Sequence, residues 1–422
     1  MGLRNKISSI SKNKEAKTLF SNFVWLSVLK VVGYLFPLIT LPYLSRVIGV
    51  EGFGEIAFAA SVMVFLETFT DFGFNYTATR DIARCREDKQ AVSVIFSNVF
   101  WAKILLMLVA FVALCVLVIA IPTFHAKQLL LFLTFLYIPG HIIFPDWFFQ
   151  AMEDMKYITI LNVVSKALFT ALVFVVINKP TDYVWQPLLN ATGYWVSGAI
   201  AMWFIYRRFG IRILKPSITN IISSLKSSVN MFISLILPNL YTNFSTILLR
   251  TTCGEVATGL YDAGARFINI VNQLFDVLSR AFYPFLSRNI NRHKLYVYIS
   301  GTGSVVASLV LFFGAELLVD IFYTVEFSGA ATVIRIMAIA PIAIFLMNTY
   351  GVNYLVINGK EYLYRNITFA FSVIGFVISI IIVPIYGYIG IAVTITLARV
   401  MGGILTYAFA YSVSKTNDTM RR

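Results

Sequence analysis

Charged side chains are scarce in this sequence. Only 13% of its 422 residues are Asp, Glu, Lys or Arg, whereas 59% are hydrophobic. Soluble domains carry roughly a quarter charged residues, so a water-soluble fold could not bury this much apolar surface. Unbroken apolar runs such as 104–121 and 367–383 lack the alternation of barrel strands, which leaves α-helices to satisfy the backbone in lipid. The sequence therefore predicts an all-α integral membrane protein.

Residues that bind metals or form disulfides are also few. Three cysteines and three histidines stand far apart, without a CxxC pair: Cys85, Cys115, Cys253, His125, His141 and His293. This spacing predicts neither a disulfide framework nor a metal cluster. The chain has no GxxxxGK[ST] motif to cradle ATP phosphates and no loop long enough for a soluble domain. We therefore expect no cofactor and no enzymatic activity.

Twelve apolar segments are long enough to cross a hydrocarbon core of about 30 Å. The predicted spans are 20–45, 52–75, 97–121, 128–150, 158–178, 184–206, 229–250, 256–283, 295–320, 331–357, 364–385 and 388–413. The apolar stretch 20–44 is too long for a removable signal peptide, so the first helix is expected to be retained.

The basic residues are distributed as topology signals. The net charge of +14 is spread over short segments beside the apolar runs, which argues against a nucleic-acid partner. With the N-terminus inside, loops on that side carry 24 Lys and Arg and loops on the other side carry four. Because basic loops stay cytoplasmic, the pattern predicts a multi-pass protein of the bacterial inner membrane with both termini in the cytoplasm.

The two halves of the chain show a weak internal repeat. A shift of 205 residues places Gly49, Gly54, Ala60 and Asp71 on Gly254, Gly259, Ala265 and Asp276. Six helices per half give a parallel repeat. We predict a six-helix lobe over 1–206, a cytoplasmic linker over 207–228 and a second six-helix lobe over 229–422.

Two motifs resemble a known family. Residues 41–54, LPYLSRVIGVEGFG, resemble the start of polysaccharide flippases of the multidrug/oligosaccharidyl-lipid/polysaccharide exporter superfamily. Residues 146–158, DWFFQAMEDMKYI, resemble the fourth-helix end and following loop of O-antigen flippases, except that Ala151 stands where glycine is common. The resemblance implies ATP-independent transfer of an undecaprenyl-diphosphate-linked oligosaccharide to the outer leaflet, by alternating access. It also implies membrane lipid, a polysaccharide polymerase and a chain-length regulator as partners.

Deep basic residues are the candidate substrate contacts. Six lie inside predicted helices: Lys30, Lys166, Arg266 and Arg399 near the middle, and Lys103 and Arg335 nearer the ends. An ionisable group there costs about 2.5–3.5 kcal/mol and usually faces the bundle interior or water. A cationic cavity favours an anionic passenger such as a diphosphate, and Arg266 and Lys30 are our first choices. The alternative for Arg266 is a structural pair with Asp262, four residues earlier on one helix.

Acidic residues within the predicted helices are candidates for coupling transport to an energy source. Glu67, Asp71 and Asp262 are candidates for coupling transport to an ion gradient. Trp147, Phe148 and Phe149 are expected to pack against lipid.

Three other functions stay open at this stage. A drug or organic-cation antiporter of the same superfamily should concentrate acids rather than bases at the midplane. A lipid II flippase would carry the same diphosphate anchor. A membrane-embedded glycosyltransferase or polymerase usually has a sizeable catalytic loop outside the bilayer, and this sequence has none.

Overall fold

The computed structural model describes the backbone of residues 2–288 and 293–421. Side chains are described for residues 25–415 except 26, 27, 30, 31, 34, 281, 284, 285 and 288–292. Over this part of the chain the structure consists of helices and turns without a β-strand, which confirms the all-α prediction. Nine stretches of the described residues are long and apolar enough to cross a membrane.

The helices follow one another with short connections. The α-helices within the described residues are α1 (Gly2–Asp71), α2 (Phe74–Cys85), α3 (Lys89–Ala120), α4 (Pro122–Ala126), α5 (Gln128–Phe135), α6 (Tyr137–Ile143), α7 (Asp146–Ala151), α8 (Met155–Val176), α9 (Gln186–Phe204), α10 (Ile218–Tyr241), α11 (Asn243–Arg288), α12 (His293–Phe313), α13 (Ala315–Phe322), α14 (Gly329–Met337), α15 (Ala340–Leu346) and α16 (Glu361–Arg421). Short 3₁₀ segments lie at Pro180–Trp185 and Val325–Phe327, and π-helical segments at Ile205–Phe209 and Met347–Val356.

Local sequence sets the limits of α3. The Asp88 carboxylate accepts hydrogen bonds from the backbone amides of Gln90 and Ala91, which caps the first turn. At the other end Ile121 is extended (φ −116°, ψ 117°) because the following Pro122 disfavours helical geometry in the residue before it. The 32 residues between these signals extend about 48 Å at 1.5 Å per residue, which is ample for one membrane crossing.

Three of the nine stretches are much longer than one crossing. They lie in α1–α2, α10–α11 and α16 and contain 51, 63 and 55 residues, whereas a crossing needs about 20. Each contains a glycine with non-helical backbone: Gly49 (φ 63°), Gly254 (φ 89°) and Gly387 (φ 56°). Positive φ favours glycine, which lacks a Cβ. Where the sequence predicted separate helices joined by short loops, the structure has sharp bends at single glycines.

The bends at Gly49 and Gly254 are followed by a reciprocal backbone contact. A Cβ on Gly54 would lie 1.9 Å from the carbonyl oxygen of Glu255, and a Cβ on Gly259 would lie 2.1 Å from that of Val50. Both glycines are therefore required by close approach of one backbone to another. The offset of 205 residues found in the sequence relates one half of this contact to the other.

The described chain forms two compact units. Unit 1 contains the residues up to Tyr43 and Leu66–Ile233, and unit 2 contains Leu44–Phe65 and the residues from Ser234 onward. The connection predicted at 207–228 is shorter in the structure, because α10 already begins at Ile218. Residues 44–65, which the sequence pattern assigns to the first lobe, pack within unit 2.

The core of unit 1 contains an aromatic cluster that the sequence analysis assigned to lipid. Trp147, Phe148 and Phe149 are at most 2% exposed, and the Trp147 ring stacks 5.6 Å from that of Phe96. The lipid-facing expectation was wrong. The chain leaves the helical path at Phe144–Pro145, and the short α7 that follows places these rings in the core.

Candidate functional site

Four ionisable side chains from three helices of unit 1 form one cluster. Glu67 and Asp71 lie four residues apart near the end of α1, and Lys103 and His141 reach them from α3 and α6. The Lys103 Nζ lies 2.8 Å from Asp71 Oδ1. The His141 Nε2 lies 3.2 Å from Asp71 Oδ2 and 3.7 Å from Glu67 Oε1. We term these four residues the unit 1 quartet.

The quartet is largely shielded from solvent and hydrogen-bonded, with Glu67 the most exposed of its side chains at 27%. The Lys103 side chain is only 3% exposed, and its Nζ lies 5.9 Å from the centre of the Trp147 ring. Asn75 donates to Asp71 Oδ2 over 2.9 Å, and the Tyr137 hydroxyl donates to Glu67 Oε1 over 3.0 Å. These partners fix the orientation of both carboxylates.

The charge of the quartet depends on one proton. With both carboxylates ionised and Lys103 charged, the net charge is −1 when His141 is neutral and zero when it is protonated. An uncompensated buried charge is costly, so the neutral arrangement with a proton on His141 is the more stable of the two. One potential ligand atom from each of Glu67, Asp71 and His141 lies within 4.8 Å of the other two, close enough for the three to bind a small cation. The Lys103 ammonium beside Asp71 disfavours a metal ion there, whereas a proton on His141 needs no additional space.

Three members of the quartet were predicted separately from the sequence, and the fourth was not. Glu67 and Asp71 were coupling candidates, Lys103 was a substrate candidate, and His141 was set aside as scattered. The structure brings all four together. Lys103, which was expected to contact substrate, forms an ion pair with Asp71 instead. The spacing of Glu67 and Asp71 on one helical face was the only signal of this cluster in the sequence. His141 follows Asp71 by 70 residues, so no local pattern connects them.

The two other basic candidates of the first half are placed differently. Lys166 lies on α8 and is partly buried, with no ion-pair partner among the described residues. The backbone of Lys30 lies within α1, but its side chain lies outside the described residues. Its proposed contact with substrate therefore stays a prediction.

Unit 2 carries a polar row along one face of α11. The row consists of Asp262, Arg266, Asn269, Gln273 and Asp276. Arg266 Nε lies 2.7 Å from Asp262 Oδ2, in side chains that are 34% and 26% exposed. The guanidinium also lies 5.1 Å from the centre of the Phe53 ring. Arg266 is therefore both paired, as the structural alternative expected, and partly accessible.

A second arginine reaches the same row from α16. Arg399 Nη2 lies 3.5 Å from Asn269 Oδ1, which is at the limit of a hydrogen bond. Its Nη1 is buried and has no hydrogen-bond partner among the described residues, and the same holds for both amide atoms of Asn272 on α11. Leaving buried polar atoms unpaired costs free energy. This region of unit 2 therefore has unused hydrogen-bonding capacity for a polar ligand.

Two further ion pairs of unit 2 differ in burial. Arg335 binds Glu316 over 2.7 Å, but both side chains are exposed, by 39% and 70%. Such a surface pair contributes about 0–1 kcal/mol. Arg250, which the sequence analysis counted as a loop residue, instead makes a two-pronged contact with the Glu55 carboxylate at 2.6 and 3.2 Å. Both side chains are nearly buried, which gives this pair a structural role.

The 146–158 motif ends in a loop held by ion pairs. Arg86 lies 2.6 Å from Glu153, and Arg208 lies 3.8 Å from Asp154. Partial burial raises the pKa of Asp154 above its usual value, because desolvation outweighs the attraction of Arg208. Ala151 ends α7 in helical geometry, and the positive φ of the turn (58°) falls on Glu153. Alanine is therefore compatible with the turn at the position where the family commonly has glycine.

Comparison with known proteins places the chain in one family. A family described as polysaccharide biosynthesis protein matches residues 19–290. A protein of Escherichia coli (strain K12) named as a candidate O-antigen transporter is 27% identical over 391 residues, which covers 91% of this chain and 94% of the relative. A relative of the same description from Shigella dysenteriae is 25% identical and covers 90% and 97%.

Solved structures agree on the fold. The lipid II flippase MurJ, in an inward closed conformation, matches with a TM-score of 0.75 at 13% identity, covering 94% of this chain and 87% of that one. A multidrug resistance MATE family transporter of the MOP superfamily, in an inward-facing conformation, matches with a TM-score of 0.66 at 14% identity, covering 92% and 99%. Because the family match spans well over half of its residues, this chain belongs to the polysaccharide biosynthesis protein family, and it has the fold of MOP-superfamily transporters.

Proposed function

We propose that the protein is a flippase that moves an undecaprenyl-diphosphate-linked oligosaccharide, the repeat unit of O-antigen or a similar surface polysaccharide, from the inner to the outer leaflet of the inner membrane. The curated relatives named for O-antigen transport support the passenger class. A polymerase and a chain-length regulator would act on the passenger after its transfer.

The observation that carries the proposal is the pair of arginines on the polar row of α11. Arg266 keeps 34% of its side chain accessible, and Arg399 has a buried guanidinium nitrogen without a partner among the described residues. Guanidinium groups bind phosphate oxygens through two parallel hydrogen bonds. We assign the diphosphate to these arginines, with Lys166 and Lys30 as further cationic contacts. Lys103 and Arg335, which are bonded to acids, stabilise the protein in this assignment.

The unit 1 quartet is assigned to energy coupling. Its charge changes by one unit with one proton, so binding and release of that proton on opposite sides of the membrane would drive transport. Glu67 and Asp71 keep the role expected from the sequence, and His141 joins them. Asp262 stays a second coupling candidate because its partner Arg266 is also a substrate contact.

The proposed topology has twelve spans in two related six-helix halves. Counting each of the three glycine-bent stretches as two crossings raises nine candidate spans to twelve. The excess of basic residues in alternate loops supports cytoplasmic termini. Alternating access then moves the passenger without ATP.

Two other members of the superfamily are the competing assignments. Multidrug MATE transporters share the fold, but Arg266 and Arg399 offer guanidinium groups at the polar row, which suit a phosphate-bearing passenger better than a cationic drug. A lipid II flippase also shares the fold, and its passenger has the same diphosphate.

Gene deletion tests the proposal in the native host. We expect loss of long surface polysaccharide and accumulation of lipid-linked repeat units on the inner leaflet, both restored by the parental gene on a plasmid. Unchanged surface polysaccharide in a strain without a redundant flippase would refute the function. Greater sensitivity of the deletion strain to cationic dyes with intact polysaccharide would favour the drug antiporter.

A further inference from the structure

Unit 1 contains a cavity that the proposed transport path does not use. It has a volume of about 420 Å³ and lies where α3 begins and α9 ends, with Phe96, Met202, Ile205, Tyr206 and Arg212 among its lining residues. The lining is mostly apolar. Arg212 places one positive charge at it.

The chain segment that carries Arg212 is held firmly against α3. Residues 210–217 are not helical. The backbone amide of Leu214 donates to Ser97 Oγ over 2.8 Å, and Trp101 Nε1 donates to the Leu214 carbonyl over 2.9 Å. The Ser97 hydroxyl also donates to the Arg212 carbonyl over 3.3 Å. The backbone on both sides of Arg212 is therefore bonded to α3, while its side chain is exposed.

Unit 2 contains a cavity of about 290 Å³ with a more aromatic lining. Lys294, Tyr350, Tyr407, Ala410 and Tyr411 are among its lining residues. The rings of Tyr350 and Tyr407 pack edge to face at 4.8 Å. Lys294 is exposed at the start of α12 and supplies the positive charge.

The two cavities occupy corresponding positions in the predicted repeat. The offset of 205 residues that relates Gly54 to Gly259 also takes Met202, Ile205 and Tyr206 to the lining positions 407, 410 and 411. Each cavity also contacts the first turns of a helix, α3 in unit 1 and α12 in unit 2. Three lining positions thus correspond between the units, and each cavity has one Lys or Arg in its lining, although these two bases lie at different places in the repeat. The shared positions and the single Lys or Arg in each lining point to one class of ligand.

The surroundings indicate the headgroup level of a membrane. Exposed aromatic and aliphatic side chains line each cavity, including Tyr206 (58%) and Ile213 (44%) in unit 1 and Tyr407 (44%) and Tyr411 (63%) in unit 2. Tyrosine and basic residues at the ends of apolar helices lie at the level of lipid headgroups, where bases attract anionic lipids. Neither Arg212 nor Lys294 has an ion-pair partner among the described residues, so each base is free to meet a phosphate.

We propose that each cavity binds one anionic phospholipid, with Arg212 or Lys294 at its phosphate and its acyl chains along the apolar side chains beside the cavity. The choice of the cytoplasmic leaflet rests on the proposed topology. The binding itself does not depend on the identity of the transported molecule.

Native mass spectrometry of the full-length protein tests this proposal. The protein is incubated in detergent with equal amounts of phosphatidylglycerol and phosphatidylcholine that carry the same acyl chains, and retained lipids are counted. We expect two phosphatidylglycerol molecules per parental protein, one in Arg212→Gln, one in Lys294→Gln and none in the double variant. Both side chains are exposed, so the substitutions should leave folding intact.

Matched controls separate a site from general attraction. Lys215→Gln and Lys360→Gln remove the same charge from neighbouring loops without lining either cavity, and both variants should retain two lipids. Equal retention of phosphatidylcholine by the parental protein, undiminished retention in the double variant, or equal loss in the controls would overturn the proposal. Displacement by inorganic phosphate would assign the cavities to the free ion and overturn it as well, whereas a failed polysaccharide assay would leave this result unaffected.

Discussion

Arg266 shows how one residue can serve both structure and transport. Its Nε is bonded to Asp262, yet a guanidinium has five N–H donors, and the side chain keeps a third of its surface accessible. The ion pair with Asp262 orients the guanidinium group and lowers the free-energy cost of placing its charge deep in the protein. The remaining donors can then bind an anion without further rearrangement.

Arg266→Gln should therefore abolish polysaccharide export while retaining membrane insertion. Glutamine is shorter than arginine and uncharged, so it cannot neutralise a diphosphate, and we expect export to fall at least about tenfold, which corresponds to about 1.4 kcal/mol of lost interaction. Surface polysaccharide is measured together with protein abundance in a deletion strain.

The double variant Arg266→Gln with Asp262→Asn is the control for stability. The single substitution leaves the Asp262 carboxylate without its partner, which by itself destabilises the protein, whereas the double substitution removes both charges together. Normal abundance with export at the parental rate would make Arg266 a structural partner only. Asp262→Asn alone identifies any separate coupling role of the acid.

Asp71 in unit 1 is also paired with a basic residue, and its substitution should affect stability. Asp71→Asn leaves the ammonium of Lys103, a residue only 2% exposed, without its ion-pair partner. Breaking a buried pair in this way costs about 3–5 kcal/mol, so the thermal midpoint of the purified protein should fall clearly.

Adding Lys103→Gln should restore most of that loss. The double variant has no unpaired lysine, and Glu67 with His141 would keep the one-proton charge change that the proposed coupling requires. If the double variant melts as low as Asp71→Asn, the pair is not the source of the stability.

At the level of helices, apolar periodicity and length predict most of the architecture. Each of the twelve predicted segments is mostly helical in the described chain, because length and apolarity are properties of the segment itself. Connections were predicted less well. A bend at Gly49 or Gly254 depends on one positive φ angle, which glycine permits but does not require.

The fourth predicted span shows a second kind of error. One apolar run over 128–150 predicted one helix, whereas the structure divides it into α5, α6 and α7. The divisions at Leu136 and Phe144 place His141 and Trp147 toward α1 and α3. Contacts between residues far apart in the sequence decide this packing, so the sequence alone could not bring His141 to Asp71.

The glycine contact of unit 2 gives a prediction about helix packing. Gly54→Ala would place a Cβ 1.9 Å from the Glu255 carbonyl oxygen, and backbone on both sides cannot yield easily. We expect a loss of at least about 1–3 kcal/mol, as for overpacked cores, measured as a lower thermal midpoint and reduced abundance.

Two glycines serve as comparisons for Gly54. Gly33→Ala meets nothing within 4 Å and lies in a helix, so it should be neutral or slightly stabilising. Gly254→Ala also has open space, but its φ of 89° is strained for alanine, so its effect should be intermediate. Equal stability of Gly54→Ala and Gly33→Ala would contradict the close backbone approach.

At the scale of the whole molecule, the proposed topology rests on the distribution of basic residues and on the glycine bends. The bends at Gly49, Gly254 and Gly387 would all fall on the periplasmic side of the proposed arrangement, because each follows a helix that starts inside. In the proposed arrangement the two sides of the membrane would thus differ twice, by 24 basic residues in the loops of one side against four in the loops of the other and by the glycine kinks.

Reporter fusions test this topology at positions that the structure places at helix ends or connections. Fusions after Lys89, Lys215 and Lys294 should report cytoplasm, and fusions after Lys127, Lys179 and Glu326 should report periplasm. Three pairs of these positions bracket one predicted crossing each: Lys89 with Lys127 across α3, Lys179 with Lys215 across α9, and Lys294 with Glu326 across α12 and α13. Alkaline phosphatase activity and green fluorescence should therefore alternate within every pair, because phosphatase is active only outside and the fluorescent protein only inside. The same reporter result at both members of a pair would remove one crossing, and an even number of spans with both termini in the cytoplasm could not then hold.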